Sequence, residues 1–481
     1  VDLHPEHVSR SAASSALGRS VASSALGRSG RLFSVCWGFA LLLHVLGNPT
    51  LASPASNTAL ALAIALVLLV PGEPLALGVL SIAQLATVWS EAPVLANHWA
   101  LAAAVSVAVL LALATRGRQP ERFWSAFLPA ARWCLLGFYA FAAFAKLNHA
   151  FFDPDVSCAP FYLHESARSL GIGALSSLSG WGARVVIVAT AATELSIPVL
   201  LAWRRTRVVW VPVAMAFHLV LALDRVHEFF DFSAVLFALF VLFLPNDFAG
   251  SLGEWLLRVP RALSIGARVI AAALVVWLIV AASNRDLSLR TARLSIGWTA
   301  WQVVAIASLA GVTAWVVRHR PVRAEPGALA LEPVMVLVPL LVVLNGLTPY
   351  LEVKTAFGWN MYSNLRTVGG DSNHFVIPAT APLLDDQKHL VQILDSDDAG
   401  LRFYADHGYA LTLRRLRGYL HDHPDTSLTM RLDGHVRRIE RAGDHPELVT
   451  AVPEWQRKLV VHRAVDLQDP PRCQDVFGPA A

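Results

Sequence analysis

Eleven apolar runs fill most of the chain between residues 32 and 347, at 32–47, 58–70, 74–90, 98–115, 130–147, 182–203, 208–223, 231–245, 266–283, 296–317 and 329–347. A helix needs ~20 mostly apolar residues to cross the hydrocarbon core of a bilayer. No water pairs with the backbone there, so each run must close its hydrogen bonds within itself as a helix. The fold class this predicts is an all-α polytopic membrane helix bundle of about nine to eleven transmembrane helices. The runs at 58–70, 74–90 and 231–245 are short for a crossing and read as re-entrant or protein-buried. Composition agrees: of 481 residues 55% are hydrophobic and only 15% charged, against about 25% charged in soluble domains.

Orientation follows from basic residues in short loops, which stay on the cytoplasmic side. Arg10, Arg19, Arg28 and Arg31 precede the first run, and Arg116, Arg118 and Arg122 follow the fourth. Arg204, Arg205 and Arg207 follow the sixth, Arg258, Arg261 and Arg268 the eighth, and Arg318, Arg320 and Arg323 the tenth. All five segments share one side if eleven helices alternate, with Arg285, Arg290 and Arg293 dissenting. The chain is thus expected in a bacterial plasma membrane, N-terminus cytoplasmic and C-terminal domain extracytoplasmic.

Three parts are expected. Residues 1–30, with Ala-Ser-Ser-Ala-Leu-Gly-Arg-Ser at 13–20 repeated at 22–29, read as a disordered polar tail. Residues 31–347 form the helical domain. Residues 348–481 are rich in Asp, Arg and His, with short alternating runs at 390–394, 411–413, 427–432 and 458–463; these predict strands. A helix over Asp406–Asp422, preceded by another at Ala399–Tyr404, completes a small α/β domain.

Of the four cysteines, Cys36 and Cys134 lie in apolar runs, while Cys158 and Cys473 both fall on the outer side of this topology. A Cys158–Cys473 disulfide is expected, as suits an oxidising compartment; two unpaired thiols are the alternative.

Within the apolar part, a few ionisable groups stand out. Lys146 is the one charge between Trp133 and Leu147, and a charge inside a membrane helix is costly enough to mark a functional site. The alternative is a lysine near a helix end that snorkels to the interface. Asn97 and His98 begin the fourth run, so His98 and Lys146 are expected at similar depth on the outer side. Glu194 interrupts the sixth run, four residues before Pro198, and His218 the seventh. A desolvated lysine can act as a general base, and a nearby histidine can assist. A metal site at His218, Asp224, His227 and Glu228 is disfavoured by their helical spacing, and no paired-cysteine or His-Glu-x-x-His pattern occurs; no metal is expected. No glycine-rich phosphate loop and no basic, aromatic-interleaved patch points to nucleotides or nucleic acid.

Three stretches together resemble a known family. Leu95-Ala-Asn-His-Trp-Ala-Leu101 resembles the Asn-His segment of the vitamin K-dependent γ-glutamyl carboxylases. Phe141-Ala-Ala-Phe-Ala-Lys-Leu-Asn148 resembles the helix that carries their catalytic lysine. Gly358-Trp-Asn-Met-Tyr-Ser-Asn-Leu-Arg366 resembles a segment of the wider family named for its horizontally transferred transmembrane domain (HTTM), as do Glu194-Leu-Ser-Ile-Pro198 and Phe217-His-Leu219. The resemblance covers residues from about 30 to 380. It implies Lys146 as the base that deprotonates a vitamin K or menaquinone-type hydroquinone, which oxygenation by dioxygen then carries to an alkoxide and finally the epoxide, with His98 assisting. Asn97, Glu194, His218, Trp359, Asn360 and Arg366 are implied as supporting residues. Two departures stand out: Asn360 takes the place of an Asp in the animal enzymes, and the outer domain is too short for their propeptide-binding portion, so γ-glutamyl carboxylation itself has no support. The expected partners are the lipid bilayer and a quinone or lipid substrate. Two other readings stay open: a carrier or channel in which Lys146, Glu194 and His218 line a polar path, and a non-catalytic scaffold whose outer domain binds a partner.

Overall fold

The computed structural model describes residues 6–48, 52–173, 180–257, 287–320 and 327–474, with scattered residues from 266 to 277. Helix α1 spans Glu6–Gly47, α2 Pro54–Leu69, α3 Pro74–Glu91, α4 Asn97–Arg116, α5 Pro120–Ala145 and α6 Cys158–Ser169. They are followed by α7 (Trp181–Ala202), α8 (Arg207–Leu221), α9 (Phe229–Phe240), α10 (Asn246–Leu257), α11 (Leu287–Arg318) and α12 (Leu337–Leu347). Prolines open α2, α3 and α5 at their first turn, where a missing N–H costs nothing.

Helices α1 and α5 form the centre. α1 packs on α2, α5, α9, α10 and α11, and α5 packs on α4, α7 and α12. Gly346 of α12 lies against the Phe141 ring of α5, and a Cβ there would collide with it. At the periphery, α7 exposes Trp181, Val188, Val199 and Trp203, and α11 exposes Val303, Ile306 and Val317. Among the described residues, five helices are long and apolar enough to cross a membrane: Leu26–Gly47, Asn97–Arg116, Pro120–Ala145, Trp181–Ala202 and Leu294–Arg318. A sixth is formed if Phe229–Phe243 and Asn246–Leu252, which meet at a 110° bend, count as one broken span. Pro245 sits at that bend, and proline cannot continue the hydrogen-bond ladder. The Arg132 side chain, buried in α5, donates to the Leu242 carbonyl beside it at 2.7 Å.

These helices are compatible with a multi-pass membrane protein, but they are fewer than the nine to eleven expected. The runs at 58–70, 208–223 and 329–347 form the shorter apolar helices Pro54–Leu69, Arg207–Leu221 and Pro333–Leu347. Most of the run at 266–283 lies outside the described residues. A second difference concerns the expected disordered tail: α1 extends back through it to Glu6. The tract is rich in alanine, leucine and arginine and has no proline after residue 5, so helix propensity carries the first apolar helix backwards.

Beyond α12, residues 348–389 belong with the helical part more than with the C-terminal sheet. Apart from the two-residue strands β1 (Thr367–Val368) and β2 (Asp371–Ser372) they have little regular structure and close over the ends of α4, α5 and α12. From residue 390 an antiparallel five-stranded sheet forms, in the order β6-β5-β3-β4-β7. Its strands are β3 (Leu390–Ser396), β4 (Tyr409–Thr412), β5 (Leu428–Leu432), β6 (His435–Ile439) and β7 (Val465–Asp466). The expected helix Asp406–Asp422 is interrupted: Gly408, in the left-handed region at φ 67°, ends the helix Ala399–His407. Strand β4 intervenes before the helix Leu413–Asp422. The expected strand at 458–463 is the end of a short helix, Glu454–Leu459, followed by coil.

Cys158 and Cys473 form the expected disulfide, with Cα atoms 4.9 Å apart across a sequence separation of 315. It ties the C-terminal segment to the start of α6. A second anchor is Lys458, whose ammonium donates to the Trp89 carbonyl at 2.6 Å and lies over that indole ring.

Candidate functional site

Helix α5 ends where Asn148 takes over its last free groups. The Asn148 amide donates to the carbonyls of Ala145 (2.8 Å) and Ser363 (2.6 Å), and its oxygen accepts the Phe151 N–H. Lys146 is therefore the C-cap residue of α5. Helical side chains lean toward the N-terminus, and Lys146 follows suit: its Nζ turns back to within 3.4 Å of the Ala142 carbonyl. Only 4% of the residue is exposed. Snorkelling outward is excluded by that direction.

The ammonium instead meets Glu194 of α7, whose carboxylate oxygen is 2.8 Å away. Pro198, one turn further on, has no N–H to give the Glu194 carbonyl, so the helix is loosened where the carboxylate is presented. The Met361 carbonyl, 3.4 Å from Nζ, completes the surroundings. That carbonyl comes from a loop in which Phe357, Trp359, Tyr362 and Asn364 all take positive φ, from 49° to 60°. Such conformations are costly for non-glycine residues and are held only where surrounding contacts fix them. Here the contacts are specific. The Trp359 N–H donates to Asn97 Oδ1 at 3.0 Å, its indole N–H to the Val342 carbonyl at 2.7 Å, and the Asn360 amide to the Thr355 carbonyl at 2.8 Å.

Lys146 and Glu194 open into a cavity of about 70 Å³ walled by Phe138, Phe151, Phe217, Phe229, Phe232 and Tyr362. That is several times the roughly 10–15 Å³ that one water occupies. Tyr139 and His218 line the same cavity. The Tyr139 hydroxyl bonds His218 Nε2, while His218 Nδ1 is buried and has no partner. A buried polar atom with no partner among the described residues is expensive, and this one belongs to a ring that lines the cavity. Cys158 also lines the cavity, so the disulfide closes one of its sides.

His98 does not join this group. Its Nε2 is 3.1 Å from Asp231 Oδ2, and the Phe232 ring stands between the two clusters, 5.7 Å from the His98 ring and 5.2 Å from that of His218. The expected meeting of His98 with Lys146 is thus replaced by a Lys146–Glu194 pair beside Tyr139–His218. His44 also reaches Asp231, at 3.2 Å, and with its other nitrogen reaches Glu91, again at 3.2 Å. Arg366 is remote from both clusters and pins the C-terminal segment through the Gln468 carbonyl and Asp469, each at 2.9 Å. Asp224 and His227 pair with each other at 2.7 Å.

Tyr139, His44 and Glu91 are the site residues that sequence reasoning missed, while Asp231 is legible there only as part of the outer turn after the seventh run. A signal existed for two of them: His44 lies in Leu41-Leu-Leu-His-Val-Leu46 and Glu91 ends an apolar helix, and the rule that singles out Lys146 applies equally there. Tyr139 gives no such signal among the aromatic residues of α5.

The segment over the helix ends holds further buried groups. Burial brings the Lys354 ammonium down from 10.5 to about 8, with Asn345 Oδ1 accepting from it at 3.1 Å. Burial also lowers His374, although its bond to the Phe144 carbonyl works the other way. Searches for related proteins found no matching family model, no matching curated protein and no matching solved structure.

Proposed function

We propose that this chain is a multi-pass membrane enzyme that removes a proton from a flat, lipid-soluble substrate of hydroquinone type, with Lys146 as general base. The observation that carries the reading is one aromatic-walled cavity lined by the Lys146–Glu194 pair and by the imidazole that Tyr139 holds. Aromatic walls favour a planar ring by stacking, and the two polar sites are suited to substrate oxygens. The residues present therefore fit a vitamin K or menaquinone-type hydroquinone: the phenylalanines would hold the ring, and Lys146 and His218 would meet its hydroxyls. Such a hydroquinone would supply the reducing equivalents.

For Lys146 to accept a proton from a substrate hydroxyl, its own must first pass to the Glu194 carboxylate 2.8 Å away. His218, held by Tyr139, orients the second oxygen. In this reading His218 meets the substrate, and His98, behind the Phe232 ring, does not. Entry from lipid is supported by α7, which carries Glu194 and is only 28% buried over its apolar window. Large apolar side chains exposed on α7 and α11 favour a lipid surround, with the arginine-bearing loops on the cytoplasmic side and the sheet domain outside.

The test uses the full chain in proteoliposomes supplied with a reduced menaquinone analogue, following oxidised or epoxidised product by mass spectrometry. General base catalysis contributes ~10²–10⁴-fold, so Lys146→Ala is expected to lower turnover by at least ~10²-fold while the protein still elutes as a folded species. Turnover unchanged in Lys146→Ala would remove the base assignment. The carrier reading is kept alive by one observation, the gathering of Lys146, Glu194 and His218 at one place. Ion flux without any quinone, lost in Lys146→Ala, would favour it instead.

A further inference from the structure

The geometry points to a second site in the helical core: a two-histidine, one-carboxylate centre for a divalent first-row transition metal, formed by His44, His98 and Asp231. The proposal does not depend on the function of the Lys146 cavity. The three residues come from α1, α4 and α9, and each offers one ligand atom, all within 4.8 Å of one another. His44 Nδ1 is 3.2 Å and His98 Nε2 3.1 Å from the same oxygen, Asp231 Oδ2. Ligands about 2.0–2.1 Å from a tetrahedral metal are separated by roughly 3.3 Å, so these two spacings already match those around an ion.

The supporting groups have the character of an outer shell. Metal-bound imidazoles characteristically give their second nitrogen to a carboxylate, and His44 Nε2 is 3.2 Å from Glu91 Oε1. The His44 ring is stacked on Trp99 with centroids 3.6 Å apart and 13° between planes, which fixes its orientation. The backbone N–H of Phe232 holds Asp231 Oδ1, leaving Oδ2 turned toward the histidines. Asn48 also contacts that oxygen at 3.0 Å, and an amide turned the other way would bring its oxygen to the same point as a fourth ligand.

Charge supplies independent support. Glu91 and Asp231 place two carboxylates in the buried core, and Glu91 Oε2 is buried with no partner. Buried charges must be neutralised by a partner or a metal. One divalent ion held between the two imidazole nitrogens and Asp231 Oδ2 would balance both carboxylates while both imidazoles stay neutral. The donor set of imidazole and carboxylate without thiolate suits iron, zinc, cobalt or nickel over soft copper(I).

The experiment uses tag-free, full-length protein in detergent, stripped with a chelator, checked for an unchanged elution volume, and reloaded with Co²⁺ as the probe. The expected result is about one equivalent of Co²⁺ per chain and visible d–d absorption of low-symmetry nitrogen–oxygen coordination. Asp231→Asn and His98→Ala should each weaken binding at least tenfold and abolish that absorption. Glu91→Gln, one shell out, should weaken binding tenfold or more while keeping the spectrum. Less than a tenth of an equivalent in the stripped, folded wild type would overturn the proposal. So would stoichiometry and spectrum retained in Asp231→Asn, which would place the ion on surface histidines.

Discussion

The Lys146–Glu194 pair permits a sharp energetic test. At 2.8 Å and an effective dielectric near 20, the attraction is about 6 kcal/mol. Desolvating the two ions costs several kcal/mol each and offsets much of this. The pair as a whole should therefore contribute little net stability, while breaking it from one side should cost about 3–5 kcal/mol. Glu194→Gln strands an ammonium in an aromatic cavity and is expected to fall in that range. Lys146→Met should cost less, because a lone carboxylic acid can take up a proton and become neutral. The double variant Lys146→Met/Glu194→Gln should return to within ~1 kcal/mol of the wild type, giving a coupling energy of at least ~2 kcal/mol in a double-mutant cycle. The assay is equilibrium denaturation of the four proteins in mixed micelles at one pH. Two single substitutions that each cost under ~1 kcal/mol and simply add would be the behaviour of a solvent-exposed pair. That result would refute the buried, cavity-facing arrangement.

Other consequences are open to measurement. Peptide mapping under non-reducing conditions should recover the Cys158 and Cys473 peptides as one mass. Cys473→Ser should destabilise the docked sheet domain by up to roughly 5 kcal/mol, given the long loop that is closed, and faster proteolysis of the segment before residue 390 would report it. Lys354 has its folded value lowered to about 8 from 10.5, so between those values the unfolded chain binds a proton that the folded chain lacks. Stability then falls as pH drops through that window, and the whole penalty applies below 8. Lys354→Met should raise the unfolding free energy at pH 7 by roughly 1–3 kcal/mol and lose its advantage above about pH 10.5; an equal gain at both pH values would contradict the burial argument. His374, also lowered by burial, accepts the Val376 and Ile377 N–H groups on Nδ1. Below its ordinary value of 6.5 the unfolded chain protonates first. The unfolding midpoint should therefore decline with acid below about pH 6.5, a slope that His374→Gln should flatten.

The amino-acid pattern by itself determined the class of this protein and many of its parts. Long apolar runs have one low-energy solution, a helix that satisfies its own backbone, so α4 and α7 were legible to within a residue or two, and α1, α5 and α11 in their apolar parts though not in where they begin. Period-two alternation likewise located β3, β4 and β5, and two cysteines on one side of a simple topology identified their own partner. The isolated charge of Lys146 announced a site because an apolar sequence offers few explanations for it.

Only the tertiary structure decided which polar groups meet. Depth along a helix can be counted from the sequence, but azimuth and neighbours depend on how helices pack. Lys146 and His98 start from adjacent helices, yet the Phe232 ring separates them; Lys146 turns to Glu194 on α7, and His98 turns to Asp231 on α9. The positive-φ backbone of the loop that brings the Met361 carbonyl to Lys146 was not legible, because it is pinned in part by Asn97 from far along the chain, beside the nearer Val342 and Thr355. Long-range packing of this kind carries no local period, and so the partners of each buried charge became visible only in the folded molecule.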